Sequence, residues 1–406
     1  MLKKLPILVL LVLSSSIYSY NYIVGTDEEY EDISDVPWEN IVAGDSIIIH
    51  HRTLPYFDKW VICAEGTPDL PIVIKGQPDL EGNLPIIDGN GATTRSEINF
   101  WNEERGIIKI GGANIPTDLL PKHIIIENLD IRNGRPPYSF IGRYGETDYA
   151  DNCAAIYVEK GENITIKNCI MHDCGNGFFA GDLTTDVLVE YCSLYDNGIE
   201  GSCYQHNNYT SCYRIIFQFN HFGSLRSGCE GNNLKDRSAG TVIRYNWIEN
   251  GNRQLDLVDA GSERLWDDII YQNTFVYGNI LIEHDDEGNS QIIHYGGDSG
   301  NIERYRKGIL YLYNNTIYSA RIGNTTLIRL STNDENCDAR NNIIYTVGDG
   351  SRLAILSEAG GNIDLRNNFI KPGWVNSHSG GGGIVNDYGN IEEYDPHFID
   401  ALTSNF

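Results

Sequence analysis

The sequence predicts an all-β protein built as a parallel β-helix of about ten coils, and three observations predict it. The first is a recurring unit in which a short strand runs into Asn and then into a second apolar strand. It reads ENLDI at Asn128, KNCIM at Asn168, FNHF at Asn220, YNWIE at Asn246, QNTFV at Asn273, NNTIY at Asn315, NNIIY at Asn342 and NNFIK at Asn368, with Tyr191 in the same slot of EYCSLY. From residue 168 onward the intervals are 23, 29, 26, 27, 42, 27 and 26 residues, the period of a solenoid. The second is alternation of apolar and polar residues with period two inside each unit, bounded by Gly or Asn and without any helical repeat. The third is composition: 42 Gly and 25 Tyr but only 2 Met in 406 residues lean toward strands and turns. A unit this short cannot bury its own apolar face. Units must therefore stack, with strands of successive coils pairing about 4.8 Å apart.

Taken in chain order, Lys3 and Lys4 precede an apolar run from Leu5 to Leu13, small Ser residues and a cleavage point after Ser19, so residues 1–19 are expected to be a secretory signal peptide. The run is too short to span a bilayer, and no later stretch approaches about 18 apolar residues, so a secreted protein with no membrane partner is expected. Residues 20–406 are expected to form a single β-helix domain. Within it, 20–65 supply a small N-terminal cap and first coil, because an open coil end would expose unpaired strand edges. Two departures from the period, at 134–152 and 280–305, read as loop insertions that form the walls of a groove. The first carries Tyr138, Tyr144 and Tyr149, rings suited to sugar faces.

Lys and Arg number 30 against 56 Asp and Glu, a formal charge of −26, which argues against a nucleic-acid partner. Nine cysteines cannot all pair, and no C-x-x-C or His/Cys spacing supports zinc. They read as buried thiols with one or two disulfides. Cys169 and Cys192 each follow the Asn slot in adjacent coils and are expected to stack.

The densest chemistry falls between the two insertions, in CYQHNNY (203–209), CEGNNLKDR (229–237) and RQLDLVDA (253–260). Aligning Leu234 with Leu255 as inward residues sets Lys235 beside Asp256 on the outward face, with His206 on the other side. Glu230, Arg237, Arg253 and Asp259 lie along the same sheet. The candidate catalytic residues are Lys235, Arg237, His206, Arg253 and Asp256, and the candidate substrate-binding residues are Tyr209, Tyr144, Asp259 and Asn233.

The segments 38–47, GTPDLPIVIKG at 66–76 and PIIDG at 85–89 resemble the first coils of secreted right-handed parallel β-helix proteins of the polysaccharide-degrading kind. DPHFID at 395–400 resembles their closing coil, and the block at 231–260 with HNNYT at 206–210 resembles one they share. A more distant similarity is to the alginate and chondroitin lyases of the β-helix class. That resemblance implies a right-handed helix, Lys235 as the base, an arginine one coil later as its assistant, and calcium held by nearby acids, with Glu230 matching one of them. Position 256 departs from it, holding Asp where the arginine would stand, with Arg253 only nearby. The expected function is a polysaccharide lyase acting, as a monomer, on a uronate-containing glycan by β-elimination. A glycoside hydrolase using two of Asp256, Asp259, Glu230 and Asp182, or a non-catalytic glycan-binding surface protein, stands as the alternative.

Overall fold

A computed structural model describes residues 19–285, 288–357, 360–380 and 382–400. The leader expected over 1–19 lies, but for its last residue, outside the described residues. The chain winds as a right-handed parallel β-helix. One sheet takes a single strand from each coil and counts 11 strands among the described residues, while a 24-stranded assembly forms the other faces. Pairing between coils is parallel throughout the body. The antiparallel pairs are Asn99–Phe100 with Ala113–Ile115, and a hairpin inside the first insertion, Ser139–Gly142 with Gly145–Asp148. No helix among the described residues is long and apolar enough to cross a membrane.

Period-two alternation is what makes this stack possible, because every second side chain meets its counterpart one coil away. Ile74, Ile126, Ile166, Val189, Phe217, Ile243, Val276, Leu312, Ala339 and Leu365 stand in register through the interior. Each is essentially inaccessible to water, so apolar burial drives assembly coil by coil. At the first turn, Asn21–Val24 pairs in register with Ser46–Ile49, and Trp38 stacks on Trp60 with ring centroids 5.5 Å apart, closing the end of the core.

The recurring Asn splits into two rows one residue apart. Asn128, Asn168, Tyr191, Phe219, Tyr245, Asn314, Asn341 and Asn367 occupy the left-handed backbone region, with φ between 49° and 61°, a conformation that Asn tolerates better than other side chains. The next residue forms the buried ladder. Asn220, Asn246, Asn279, Asn315, Asn342 and Asn368 each donate a side-chain amide to the next at about 3.0 Å, the row ending on Asn390. The coil expected to contribute Asn273 contributes Asn279 instead, because the short helix Glu263–Trp266 and the turn Ile269–Gln272 lengthen the chain before that strand. Cys169 and Cys192 continue the ladder itself: the Cys169 amide meets Cys192 Sγ at 3.5 Å, and the Cys192 amide meets Asn220 Oδ1 at 2.9 Å. A thiol serves there where a carboxamide serves later.

Candidate functional site

Six strands carry the site: β1 (Asn176–Glu190), β2 (Asn208–Thr210), β3 (Leu234–Asp236), β4 (Leu255–Leu257), β5 (Gln291–Tyr295) and β6 (Thr325–Leu330). They pair in register, so one outward row reads Phe179, Tyr209, Lys235, Asp256, His294 and Arg329, one residue per coil. The pairing of Leu234 with Leu255 and of Lys235 with Asp256 is the one the spacing predicted. In the preceding coils this face is covered, since Lys109 lies buried under the segment that carries Trp101 and reaches Glu159 at 2.6 Å. A cleft of about 740 Å³ opens only beyond that cover. Tyr204, His206, Tyr209, Lys235, Arg237, Arg253, Asp256, His294, Asp298 and Arg329 line it, and Asn152 from the first insertion reaches its wall.

Asp256 sits at the crossing of the cleft's hydrogen bonds. Its Oδ2 accepts from Lys235 Nζ at 2.5 Å and from Asn232 Nδ2 at 2.8 Å, while its Oδ1 lies 2.8 Å from His294 Nδ1. Burial pushes its carboxyl up, but the Lys235 ammonium, the His294 hydrogen bond and the Arg253 charge more than reverse this and hold it well below the usual carboxylate range. Lys235 has a second carboxylate partner, Asp298 Oδ2 at 2.6 Å. Asp298 is pushed up by burial and brought down further by Lys235 and Arg237, ending below its ordinary value. His294 Nε2 stands 2.9 Å from Ser331 Oγ. Burial lowers the His294 pKa against the pull of Asp256, so the neutral ring donates from Nδ1 to Asp256 and accepts at Nε2 from Ser331.

His206 is fixed by the next coil. Its Nδ1 accepts the Asn232 backbone N–H at 2.9 Å, which leaves the proton on Nε2. Burial and then the Lys235 charge bring its pKa down to about 3, so it faces the cleft as a neutral donor. This close approach requires the glycine of the GNN sequence, since a Cβ at Gly231 would stand 1.7 Å from the Gln205 carbonyl oxygen. Tyr209 packs edge-on to His206, ring centroids 5.6 Å apart, and its oxygen accepts from Arg237 Nε at 3.1 Å. Arg237 also holds Asp298 Oδ1 at 2.7 Å and the Asp259 carbonyl at 2.6 Å.

The cations divide into two kinds. Lys235 and Arg237 are matched by carboxylates. Among the described residues Arg253 binds only the neutral Gln291 Oε1, at 2.9 Å and 3.3 Å, and Arg329 keeps a buried Nε with no hydrogen-bond partner. Neither has a carboxylate partner among the described residues.

Four expected site residues stand elsewhere. Asn233 points into the interior, where it accepts from Asn207 Nδ2 at 3.0 Å and donates to the carbonyls of Gly223 and Glu249, a second amide ladder below the cleft. Asp259 is buried and accepts the backbone N–H groups of Asp298 and Ser299 at 2.8 Å and 3.3 Å, so it shapes the turn that presents Asp298. Tyr144 is 91% exposed in the connection of the hairpin, away from the cleft lining. Glu230 faces a separate cavity of about 600 Å³. No group of three or more His, Cys, Asp or Glu side chains among the described residues is placed to hold a metal ion. Asp182 lines a smaller pocket that shares Tyr209 and Arg237 with the cleft.

His294, Asp298, Arg329 and Ser331 were not singled out by spacing. For His294 and Arg329 the signal is nonetheless in the sequence: Ile293-His294-Tyr295 and Ile328-Arg329-Leu330 repeat the apolar, titratable, apolar triplet of Leu255-Asp256-Leu257. The unequal lengths of the intervening turns hide the register.

No family model matches the chain, and no curated protein matches it. Among solved structures, it is similar to an alginate lyase from Paenibacillus sp. str. FPU-7, with a TM-score of 0.51 and 11% identity over 92% of this chain and 99% of that one. It is also similar to a GH136 lacto-N-biosidase from Eubacterium ramulus, with a TM-score of 0.53 and 12% identity over 93% of this chain and 68% of that one. At these identities the likeness is one of fold.

Proposed function

We propose that the protein is an exported, carbohydrate-active β-helix protein, a polysaccharide lyase that cleaves a uronate-containing glycan by β-elimination in this cleft. The observation that carries the reading is that two guanidiniums with no carboxylate partner among the described residues, Arg253 and Arg329, face the same cleft as two proton-handling groups, His206 and Tyr209. β-Elimination needs a cation to neutralise the uronate carboxylate, which acidifies the C5 proton, and a base to remove that proton. Arg253 and Arg329 supply the first. Tyr209, with Arg237 Nε 3.1 Å from its oxygen, supplies the second: as the phenolate it takes the C5 proton and becomes the phenol, and passing that proton to the leaving glycosidic oxygen returns it to the phenolate. His206 donates a hydrogen bond from Nε2. Lys235, gripped by two carboxylates, fixes Asp256 and Asp298 rather than taking the proton. The chain's charge of −26 repels a polyanion at long range, but salt limits that repulsion to roughly 10 Å.

The hydrolase reading ranks second. Asp256 and Asp298 contact one ammonium, so their oxygens lie no more than about 5 Å apart, close to the separation of a retaining pair. Both carboxyls are held below the ordinary range, however, which leaves neither as the acid. The fold shared with the Paenibacillus alginate lyase makes alginate the first polymer to test. The assay compares wild type with Tyr209→Phe on alginate, pectate, chondroitin and a neutral glucan. Ultraviolet-absorbing unsaturated ends produced from one polyuronate by wild type, and reduced about 10²-fold or more in the variant, are the expected result. New reducing ends without unsaturation would favour the hydrolase, and retention of uncut polymer the binder.

A further inference from the structure

Eight of the nine cysteine thiols are at least partly shielded, and only Cys203 is exposed. Cys63, Cys153, Cys169, Cys174, Cys192, Cys212 and Cys337 are buried inside the solenoid, positions at which thiols are chemically inert. Cys203 and Cys229 differ from these seven in lining one cavity of about 600 Å³, and Cys203 lines the main cleft as well.

The two segments are already fastened together. The Gly201 amide donates to the Gly228 carbonyl at 2.8 Å, and the Glu230 amide donates to the Ser202 carbonyl at 2.9 Å. Cys229 Sγ sits against the carbonyls of Ser202 and Gln205, at 3.6 Å and 3.7 Å, one on each side of Cys203. Hydrogen-bonded neighbouring segments run about 5 Å apart, which falls inside the Cα separation that a disulfide accepts. Closure therefore asks for rotation of the exposed Cys203 side chain and little movement of the backbone.

We propose that Cys203 and Cys229 form a disulfide that locks the wall of the cleft, tying the segment that presents His206 to the coil that presents Lys235. The co-reactant is a low-molecular-weight disulfide such as glutathione disulfide. The Cys203 thiolate attacks one sulfur of the glutathione disulfide, forms a mixed disulfide and releases one glutathione thiolate. The Cys229 thiolate then attacks Cys203 Sγ and releases the second. Two protein thiols are oxidised, one glutathione disulfide is reduced to two glutathiones, and the two thiol protons pass to the released thiolates. Cys203 leads because it is open to solvent, while burial raises the Cys229 thiol above its ordinary value and makes the second step the slower one.

The test uses the folded full chain, incubated with glutathione disulfide, then denatured, alkylated with N-ethylmaleimide and weighed. Wild type is expected to lose the mass of two hydrogens and to carry seven alkyl groups where the reduced protein carries nine. Peptide mapping is expected to join 203 to 229. Cys229→Ser is expected to stop at one glutathionyl group on Cys203, and Cys203→Ser to stay unlinked. Nine alkyl groups after prolonged oxidation, a bridge involving any other cysteine, or wild type arrested at the mixed disulfide would each overturn the proposal.

Discussion

Asp256→Asn removes the negative charge from the centre of the cleft's hydrogen-bond network while keeping its shape. The new side chain can still accept from His294 Nδ1, but the Lys235 ammonium, whose side chain is only 9% exposed, is left with Asp298 as its one carboxylate. Breaking a buried ion pair by removing one partner costs about 3–5 kcal/mol. The retained Asp298 contact places this case near the low end, at ~3 kcal/mol. For 406 residues, an unfolding entropy of about 2.1 cal/mol/K per residue turns that into a fall in Tm of about 3–4 °C. The sign with pH follows from the depressed carboxyl of Asp256. A group whose folded pKa lies below its unfolded value contributes stability above the unfolded value, about 3.9, and loses it as pH falls toward the folded one. The gap between wild type and variant is therefore expected to be full at pH 7 and to narrow below about pH 4, read by differential scanning fluorimetry across that range. Equal Tm values at pH 7, or a gap that widens on acidification, would refute the argument. Lys235→Met combined with Asp256→Leu, which removes both charges, is expected to recover most of the loss.

Other perturbations separate the scaffold from the site. Lys59 is fully buried between Phe140 and Tyr149 with its pKa lowered to about 8 by burial, so the unfolded chain holds more protons than the folded one between about pH 8 and 10.5. Wild type is then expected to gain up to ~3 kcal/mol over that window relative to Lys59→Met, measured by urea unfolding at a series of pH values. Asn246→Leu breaks hydrogen bonds to the Phe217 carbonyl, Asn279 and Asn220. A loss of at least ~3 kcal/mol is expected, because the partners stay buried and unpaired; a loss below about 1 kcal/mol by calorimetry would dismiss the ladder as a source of stability. Arg329→Ala is expected to raise KM for a polyuronate by about 10- to 100-fold, the range of a hydrogen bond to a charged group, with little change in Tm.

The solenoid was legible because its signal repeats: period-two alternation and a recurring Asn survive one irregular coil. The slot itself was harder to read. Asn at the left-handed corner and Asn in the buried ladder are adjacent, identical in type and favoured for different reasons, so a single row at 128, 168, 220 and 246 mixes the two. Lys235 and Asp256 were placed correctly because only one turn separates them. His294 and Arg329 carry the same apolar, titratable, apolar triplet but lie beyond longer turns of unequal length, which hide the register. Asn233 and Asp259 were misplaced for a related reason. Polar residues beside a catalytic-looking block suggest substrate contact, whereas here one feeds an interior amide ladder and the other caps the turn before Asp298.

If this cleft breaks a uronate glycan by elimination, the cut chains carry the chemical signature of that step. Mass spectrometry of the oligosaccharides released from alginate, pectate or chondroitin tests it most directly. Products from one of these polymers are expected to carry an unsaturated end, lighter by one water than their hydrolytic counterparts, and to be lost with Tyr209→Phe. Products that have taken up water, or unsaturated products formed equally well by Tyr209→Phe, would contradict it.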